Sequence, residues 1–147
     1  MRFTERTDIA VKILIHLAML KGAKISIDDL VDRYIGHRSQ VVAAVQDLRK
    51  AGMIASTPGR KGGIWINKPA SEIYLFDVVC MFETDFNLVK CFTDPQTCST
   101  YHCCRFKDVL EKSLQQFFQP LKDTTIGDLV DGFESSDLRV LAETEVL

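Results

Sequence analysis

The sequence lacks a long hydrophobic segment. No apolar run among its 147 residues approaches the roughly 20 residues that a helix needs to cross a membrane. The first six residues carry charges where a secretory signal peptide has its apolar run. We therefore predict a cytoplasmic protein without membrane contact. Reducing conditions in that compartment keep cysteines as free thiols, so grouped cysteines there point to metal binding or redox chemistry.

Motifs of catalysis are also missing. The chain has no phosphate-binding glycine loop at a strand-to-helix turn, no paired carboxylates in a recognisable context and no nucleophile beside a supporting base. It contains no internal repeat and no low-complexity segment. We therefore do not expect an enzyme.

The positive and negative charges nearly balance over the whole chain, but they are unevenly distributed along it. The net charge of the chain is only −2. Residues 1–70 hold 12 Lys or Arg against 6 Asp or Glu, a net of +6, whereas residues 71–147 hold 6 against 14, a net of −8. This asymmetry predicts that only the front half meets a polyanion.

The front half reads as a bundle of helices. Apolar residues at helical spacing predict a first helix over residues 4–21, with Asp8 in its early turns. A capping box that starts at Ser26 opens a second helix over residues 27–34, and a third follows over residues 37–51. Two short helices joined by a turn that contains a glycine have the form of a helix-turn-helix. The fold class expected is mainly α.

The third predicted helix has a polar, basic side. The N-terminal residues of a recognition helix point at base edges in the major groove, where Arg pairs with guanine and Gln with adenine. An ordinary amphipathic helix with a solvated face is the alternative. The candidate DNA contacts on this helix are Arg38, Ser39, Gln40, Arg49 and Lys50.

A short hairpin follows this helix, and its position favours DNA binding over an ordinary solvated helix. Residues 53–57 and 64–66 read as strands, and residues 58–63 between them read as a glycine-rich turn. Directly after a helix-turn-helix, such a hairpin is typical of a wing. Arg60 and Lys61 at its tip would reach a phosphate backbone or the minor groove.

The back half contains the most unusual stretch of the chain. Four of the five cysteines lie within fourteen consecutive residues, and they are Cys91, Cys98, Cys103 and Cys104. Thiolates grouped in this way can share one metal centre, and Pro95 argues against a helix or strand. We favour an iron–sulfur cluster. A structural zinc site and a metal-free thiol switch stay open, although the spacing lacks the paired Cys-x2-Cys units of most zinc sites.

Helices are predicted on both sides of this loop. Ser71 is expected to cap a helix that ends near residue 83, with Cys80 as a small core residue. A long helix over residues 105–121 carries more apolar surface than a domain of this size needs, which favours a homodimer. A short helix over residues 124–130 and an acidic, mobile tail complete the chain.

These elements predict three regions. Residues 1–70 form a winged helix-turn-helix DNA-binding domain, residues 71–133 hold the cysteine loop and the dimerisation helix, and residues 134–147 form the tail. A homodimer with one such DNA-binding domain per subunit would bind a pseudo-palindromic operator in double-stranded DNA.

The chain resembles the iron–sulfur winged-helix transcription regulators. The likeness rests on Thr7-Asp8, the helix-turn-helix, the wing over residues 59–63, the Lys68-Pro69-Ala70 that follows and the cysteines that end in Cys104-Arg105. Within these regulators it is most similar to the nitric-oxide-sensing repressors of the NsrR branch. The IscR branch carries a histidine three residues after its last cysteine, where this chain has Lys107.

The resemblance implies a set of cluster ligands. It implies Cys91, Cys98 and Cys104 as thiolate ligands and Asp8, from the other subunit, as the fourth. Cys103 and His102 depart from the pattern of the family and are alternative ligands. The cluster implied is of the 2Fe–2S or 4Fe–4S type.

The resulting hypothesis is a transcriptional repressor whose operator binding is controlled by a cluster that senses nitric oxide. Three alternatives stay open. The protein is a thiol-based redox repressor without a cluster, a cluster-based sensor of oxidative stress or iron supply, or a small electron-transfer protein. The basic wing and recognition helix argue against the last.

Overall fold

The computed structural model describes residues 2–33, 37–59 and 61–133. Its α-helices are α1 (Glu5–Met19), α2 (Ile27–Arg33), α3 (Arg38–Lys50), α4 (Leu75–Phe82), α5 (Arg105–Asp123) and α6 (Ile126–Val130). Its strands are β1 (Ile54–Thr57) and β2 (Gly63–Ile66). The fold is mainly helical, as predicted. The predicted end of α2 at residues 34–36, the wing residue Arg60 and the acidic tail at residues 134–147 lie outside the described residues.

Helix α1 forms the centre of the fold. Its apolar residues recur every three to four positions, so most of its circumference is buried. Ile13, Leu14 and Leu17 are fully enclosed. The helix packs against α3, α4, α6 and β2. It therefore joins the front half of the chain to the back half.

Both helices of the predicted helix-turn-helix are present as α2 and α3. The backbone N–H of Asp29 donates to the Ser26 side chain at 3.0 Å, which supplies the N-terminal cap of α2. Helix α3 buries Val41, Ala44 and Leu48 against α1. Its polar side is left facing outward.

The predicted wing is an antiparallel hairpin. Ile54 pairs with Ile66 and Thr57 with Gly63, and an isolated bridge between Ile25 and Ile64 attaches the hairpin to the helices. Gly62 lies so close to the Thr57 carbonyl oxygen that a Cβ there would overlap it. The turn consequently needs glycine at this position.

The start of α4 differs from the prediction. Ser71 does not cap this helix; residues Ala70–Glu72 form a separate 3₁₀ turn, and α4 begins after Tyr74. The reason is long-range pairing, because Tyr74 forms a β-bridge with Thr125 and the Leu75 N–H donates to the Thr124 carbonyl at 2.9 Å. That pairing holds Ile73 and Tyr74 extended, so that α4 begins at Leu75.

The prediction that Cys80 is a core residue is also wrong. Cys80 is exposed, whereas Val78 and Val79 supply the buried face of α4. Helix α6 begins at Ile126, two residues later than predicted, because Thr125 is its N-cap in a complete capping box with Asp128.

Helix α5 divides its apolar residues between two faces. Phe118 packs edge-on against Phe76 and Phe86, at centroid distances of 5.2 and 4.8 Å. Phe106 and Val109 instead remain 65% and 58% exposed. Part of the predicted dimer stripe therefore packs on its own chain, and part is free. In the described part of the chain, no helix is both long and apolar enough to cross a membrane.

One hydrophobic core serves both halves. Ile9 and Leu48 from the front belong to the same buried cluster as Ile73, Val78 and Ile126 from the back. The predicted boundary near residue 70 therefore does not separate two cores, and the division of roles between the regions stays a prediction.

Candidate nucleic-acid interface and candidate metal centre

The first turn of α3 presents Arg38 and Ser39 to solvent. The guanidinium of Arg38 donates to the carboxylate of Asp28 on α2. Both side chains are mostly exposed, so this ion pair is weak and a phosphate or base edge can replace Asp28 as the partner.

Gln40 is arranged differently from its two neighbours. It is half-buried, and its amide nitrogen donates to Glu5 of α1 at 3.1 Å. Its amide oxygen is buried and has no hydrogen-bond partner. In this conformation the predicted adenine contact is turned towards α1.

A groove of about 430 Å³ runs between the start of α2, α3 and the hairpin. Its walls include Arg38 and Arg49 from α3 and the backbone at Pro58-Gly59 and Gly62-Gly63. The Arg49 guanidinium donates to the Ser56 hydroxyl at 3.3 Å, which holds it along the hairpin. The two arginines thus line one concave surface with the wing, as an interface for a polyanion requires.

Two further predicted cations, Lys50 and Lys61, are exposed. Lys50 lies 3.7 Å from Asp47 and is largely exposed, and Lys61 is exposed on the turn of the hairpin. Lys24 was not predicted as a DNA contact, but its ammonium group lies 4.6 Å from the ring centroid of Trp65 on β2. This cation–π contact adds a positive charge beside the wing.

The cysteine loop consists of three single 3₁₀ turns, at Lys90–Phe92, Pro95–Thr97 and Tyr101–Cys103. Each is closed by local bonds, such as the Gln96 N–H to the Asp94 carboxylate at 3.2 Å. Cys91, Cys98 and Cys104 are partly exposed, Cys103 is exposed, and all four are free thiols.

The thiols have distinct surroundings. A hydrogen bond with the Thr100 hydroxyl at 3.4 Å lowers the pKa of Cys98, with help from the Thr100 backbone. The Cys103 thiol donates to the Thr100 carbonyl at 3.5 Å. Cys104 is the N-cap of α5, where its sulfur accepts from the Lys107 N–H at 3.4 Å. The lowered pKa of Cys98 favours its thiolate, the form that binds metals.

The predicted ligands do not converge within one chain. Among the described residues, no group of three or more His, Cys, Asp and Glu side chains is placed to hold a metal ion. Asp8 is exposed on α1 and bonded to Lys12 at 2.7 Å. His102 stacks edge-on beside Tyr101 at 5.4 Å. The donor chemistry fits an iron–sulfur cluster, because three free thiols share a short loop, but that loop must rearrange to enclose one.

Sequence reasoning missed one polar junction altogether. The Glu83 carboxylate, directly after α4, accepts hydrogen bonds from the Thr4 N–H at 2.6 Å, from the Thr4 hydroxyl at 2.9 Å and from the buried Thr7 hydroxyl. Burial raises the pKa of Glu83, but the bonds from Thr7 and Thr4 outweigh it and lower that pKa overall. No local pattern signals contacts that span more than 70 residues.

Comparisons with known proteins agree with this architecture. A family model described as Rrf2, iron-dependent transcriptional regulator, matches residues 3–132. Protein aau3 of Rhizobium meliloti (strain 1021) is 36% identical over 132 residues, which are 88% of this chain and 85% of that protein.

Solved structures share the fold at low sequence identity. Staphylococcus aureus CymR in its oxidized form gives a TM-score of 0.70 at 22% identity, covering 92% of this chain and 100% of that one. The IscR of T. potens gives 0.68 at 20%, covering 92% and 90%. CymR of B. subtilis, described as the global cysteine regulator, gives 0.68 at 18%, covering 91% and 99%. The predicted winged-helix fold is confirmed.

Proposed function

The chain belongs to the Rrf2 family of transcriptional regulators, and from this premise we propose that it is a repressor whose operator affinity is set by an iron–sulfur cluster on the cysteine loop. One observation carries the proposal. The loop between α4 and α5 holds Cys91, Cys98 and Cys104 as free, partly exposed thiols, held by local 3₁₀ bonds and by contacts with Lys107 in the first turn of α5. The loop is therefore available to wrap a ligand.

The DNA contacts proposed are those on and around the α3 groove. Arg38 and Ser39 in the first turn of α3 face solvent and would read base edges, whereas Arg49 and Lys50 at its end suit phosphates. Lys61 on the wing turn, with Arg60 beside it in the sequence, would contact the backbone or the minor groove. Gln40 joins them only after its amide leaves Glu5.

We propose Cys91, Cys98 and Cys104 as the thiolate ligands and Asp8 from a second copy as the fourth. Such a cluster, when bound, supplies iron atoms that react with nitric oxide. Asp8 must first release Lys12 to act as a ligand. Cys103 and His102 are the replacement ligands if Asp8 has no such role. Since an oxygen ligand is harder than thiolate, Asp8 would be the weakest of the four.

The exposed apolar residues of α5 support a homodimer. Phe106 and Val109 are apolar, more than half exposed and on the face away from Phe76 and Phe86. A second α5 would cover them and place two α3 helices for a pseudo-palindromic operator. In this scheme residues 1–70 bind DNA, residues 71–133 sense and dimerise, and residues 134–147 have no assigned role.

The test is the metal content of protein purified without oxygen. We expect wild type to be brown, with absorption near 400 nm (roughly the region of thiolate-ligated clusters) that changes when nitric oxide is added. Cys98→Ala should be colourless and free of iron. The matched control is Cys80→Ala, which removes an exposed thiol outside the loop and should keep the cluster. Colourless wild-type protein would refute the proposal.

A thiol-based redox repressor without metal is the second candidate. The lowered pKa of Cys98 favours it, because thiolates are the form that oxidants attack, and Cys103 lies on the other side of Thr100. The fold is also similar to that of an oxidized CymR. In this case oxidation of metal-free protein would change DNA binding, and Cys103→Ser would abolish the response. A cluster that responds to oxidative stress or iron supply, and not to nitric oxide, is a further alternative. It is distinguished by which of these agents changes the absorption spectrum.

A further inference from the structure

We propose that Glu83 is a positioning residue that couples the segment leading into the cysteine loop to the DNA-reading helix, through the first turn of α1. The proposal deepens the function proposed above and rests on it, since it assigns the path between sensor loop and α3. It is carried by a continuous series of polar contacts across three parts of the fold.

The first contact joins the back half to α1. Glu83 is the C-cap of α4, and the chain runs from it without regular structure towards the loop. Its carboxylate takes all the bonds described above from Thr4 and Thr7. Thr4 is the N-cap of α1 yet makes no side-chain cap bond within the helix. Glu83 therefore caps this helix from outside, where a negative charge is favourable.

The second set of contacts joins the same turn of α1 to α3. Glu5 accepts from Gln40 at 3.1 Å, and the Arg6 guanidinium lies 2.5 Å from the Asp47 carboxylate. Gln40 and Asp47 are seven residues apart, so they share one face of α3. Arg6 also lies 5.9 Å from the ring centroid of Phe82, the residue before Glu83.

The series ends on residues that we assign to DNA. Gln40 is a candidate base contact and is held half-buried by Glu5. Asp47 also lies 3.7 Å from the ammonium group of Lys50, a candidate phosphate contact. A shift of the first turn of α1 would therefore change the setting of both side chains.

These contacts orient the helices more than they stabilise the fold. The Arg6 and Asp47 side chains are 51% and 27% exposed, and such pairs add little stability. The buried residues of α1 and α3 hold the two helices together at their middle. The polar contacts lie at the N-terminal end of α1, beside that packing. A displacement of residues 83–90 with the loop would remove the Glu83 cap and free that end.

The first experiment is hydrogen exchange on full-length protein as purified, which does not depend on what the loop binds. Glu83→Gln keeps the shape of the side chain and removes its charge, and Glu72→Gln is the control on an exposed glutamate. We expect Glu83→Gln to speed exchange about tenfold in peptides of both residues 4–8 and residues 38–50, as loss of a charge-assisted bond implies. Peptides of the hairpin, residues 54–66, should be unchanged.

Two outcomes would overturn the coupling. In one, exchange rises at residues 4–8 only, which leaves Glu83 as a local cap. In the other, exchange rises equally everywhere, which reveals general destabilisation. Thr7→Val is the second variant, because it removes a donor to Glu83 and should reproduce the same two-site pattern.

The second experiment measures operator affinity before and after nitric oxide. Wild type should lose affinity, whereas Glu83→Gln should bind weakly at first and change by a smaller factor. If wild type does not respond, the proposed signal fails while the exchange experiment still decides the coupling. If both respond by the same factor, the role of Glu83 is refuted and the sensor proposal stands.

Discussion

The winged front half and the cysteine loop are held in place by different kinds of interaction. The front half is built around side chains without solvent exposure, among them Ile13, Leu14 and Leu48. The described segment between α4 and α5 contributes no residue to that buried core. Outside the contacts of Glu83 and Phe86, it is held by 3₁₀ turns and by side-chain bonds to neighbours two or three residues away, such as those to Asp94. The difference teaches that the front half is held by its own core, whereas the loop is held by local bonds that the proposed cluster would have to rearrange.

The largest effect should come from a cavity in the front half. Leu14→Ala removes a fully buried side chain of α1 and should lower the free energy of unfolding by about 2–5 kcal/mol. Thr97→Ala in the loop removes only its hydroxyl bond to the Asp94 carbonyl and should cost about 1 kcal/mol or less. Urea unfolding of metal-free protein measures both. Equal losses would show that the loop is part of the cooperative core.

The next largest effect should distinguish the proposed roles of α3 and of the wing in DNA binding. Arg38→Ala should cost about 1–3 kcal/mol of operator binding and relax specificity at one base pair, because Arg38 stands at the reading end of α3. Lys61→Ala should weaken all sequences alike and reduce the salt slope of binding by about one. Fluorescence titrations at several salt concentrations, on operator and scrambled duplexes, separate the two. Loss of specificity in Lys61→Ala would contradict these roles.

The smallest effect should come from the contact between Glu83 and the first turn of α1, which joins the back half of the chain to the front half. Hydrogen bonds lower the pKa of Glu83 in the folded protein below its ordinary value of 4.5. The stability that it contributes is therefore present above pH 4.5 and is lost as the pH falls through the lowered folded pKa. The difference in unfolding free energy between wild type and Glu83→Gln should be constant near neutral pH, about 1 kcal/mol or less for so accessible a group, and shrink in acid.

Asp128 is a control for Glu83, because its hydrogen bonds lie within the N-terminal cap of a single helix, α6. Bonds from Thr125 lower its pKa in the same direction, but they lie within the cap of α6. Asp128→Asn should show the same dependence on pH without altering α3. A difference for Glu83→Gln that grows as the pH falls would contradict the assigned sign.

Sequence periodicity was a good guide where structure is local. The apolar spacing in α1, the cap at Ser26 and the strands of the wing all form as predicted, since each depends on residues a few positions apart. The errors occur where distant segments meet. The start of α4 is decided by Tyr74 against Thr125, and this pairing has no local signal.

The candidate sites show the same division. Arg38 and Arg49 of α3 line one groove with the hairpin, because α3 comes directly before it in the chain. The cysteines could be found by their spacing, but their arrangement could not, because the local bonds of the loop do not bring them together around a metal. Glu83 was missed because its partners lie at the other end of the sequence.

The central claim is that the state of the cysteine loop sets DNA affinity. The most direct test is operator binding by iron-containing protein without oxygen, before and after nitric oxide, for wild type and Cys98→Ala. The account predicts tight binding by wild type that falls at least tenfold on exposure (about 1.4 kcal/mol), and binding by Cys98→Ala that is weak and insensitive. Cys98→Ala that binds as tightly as wild type and is released by nitric oxide in the same way would contradict it.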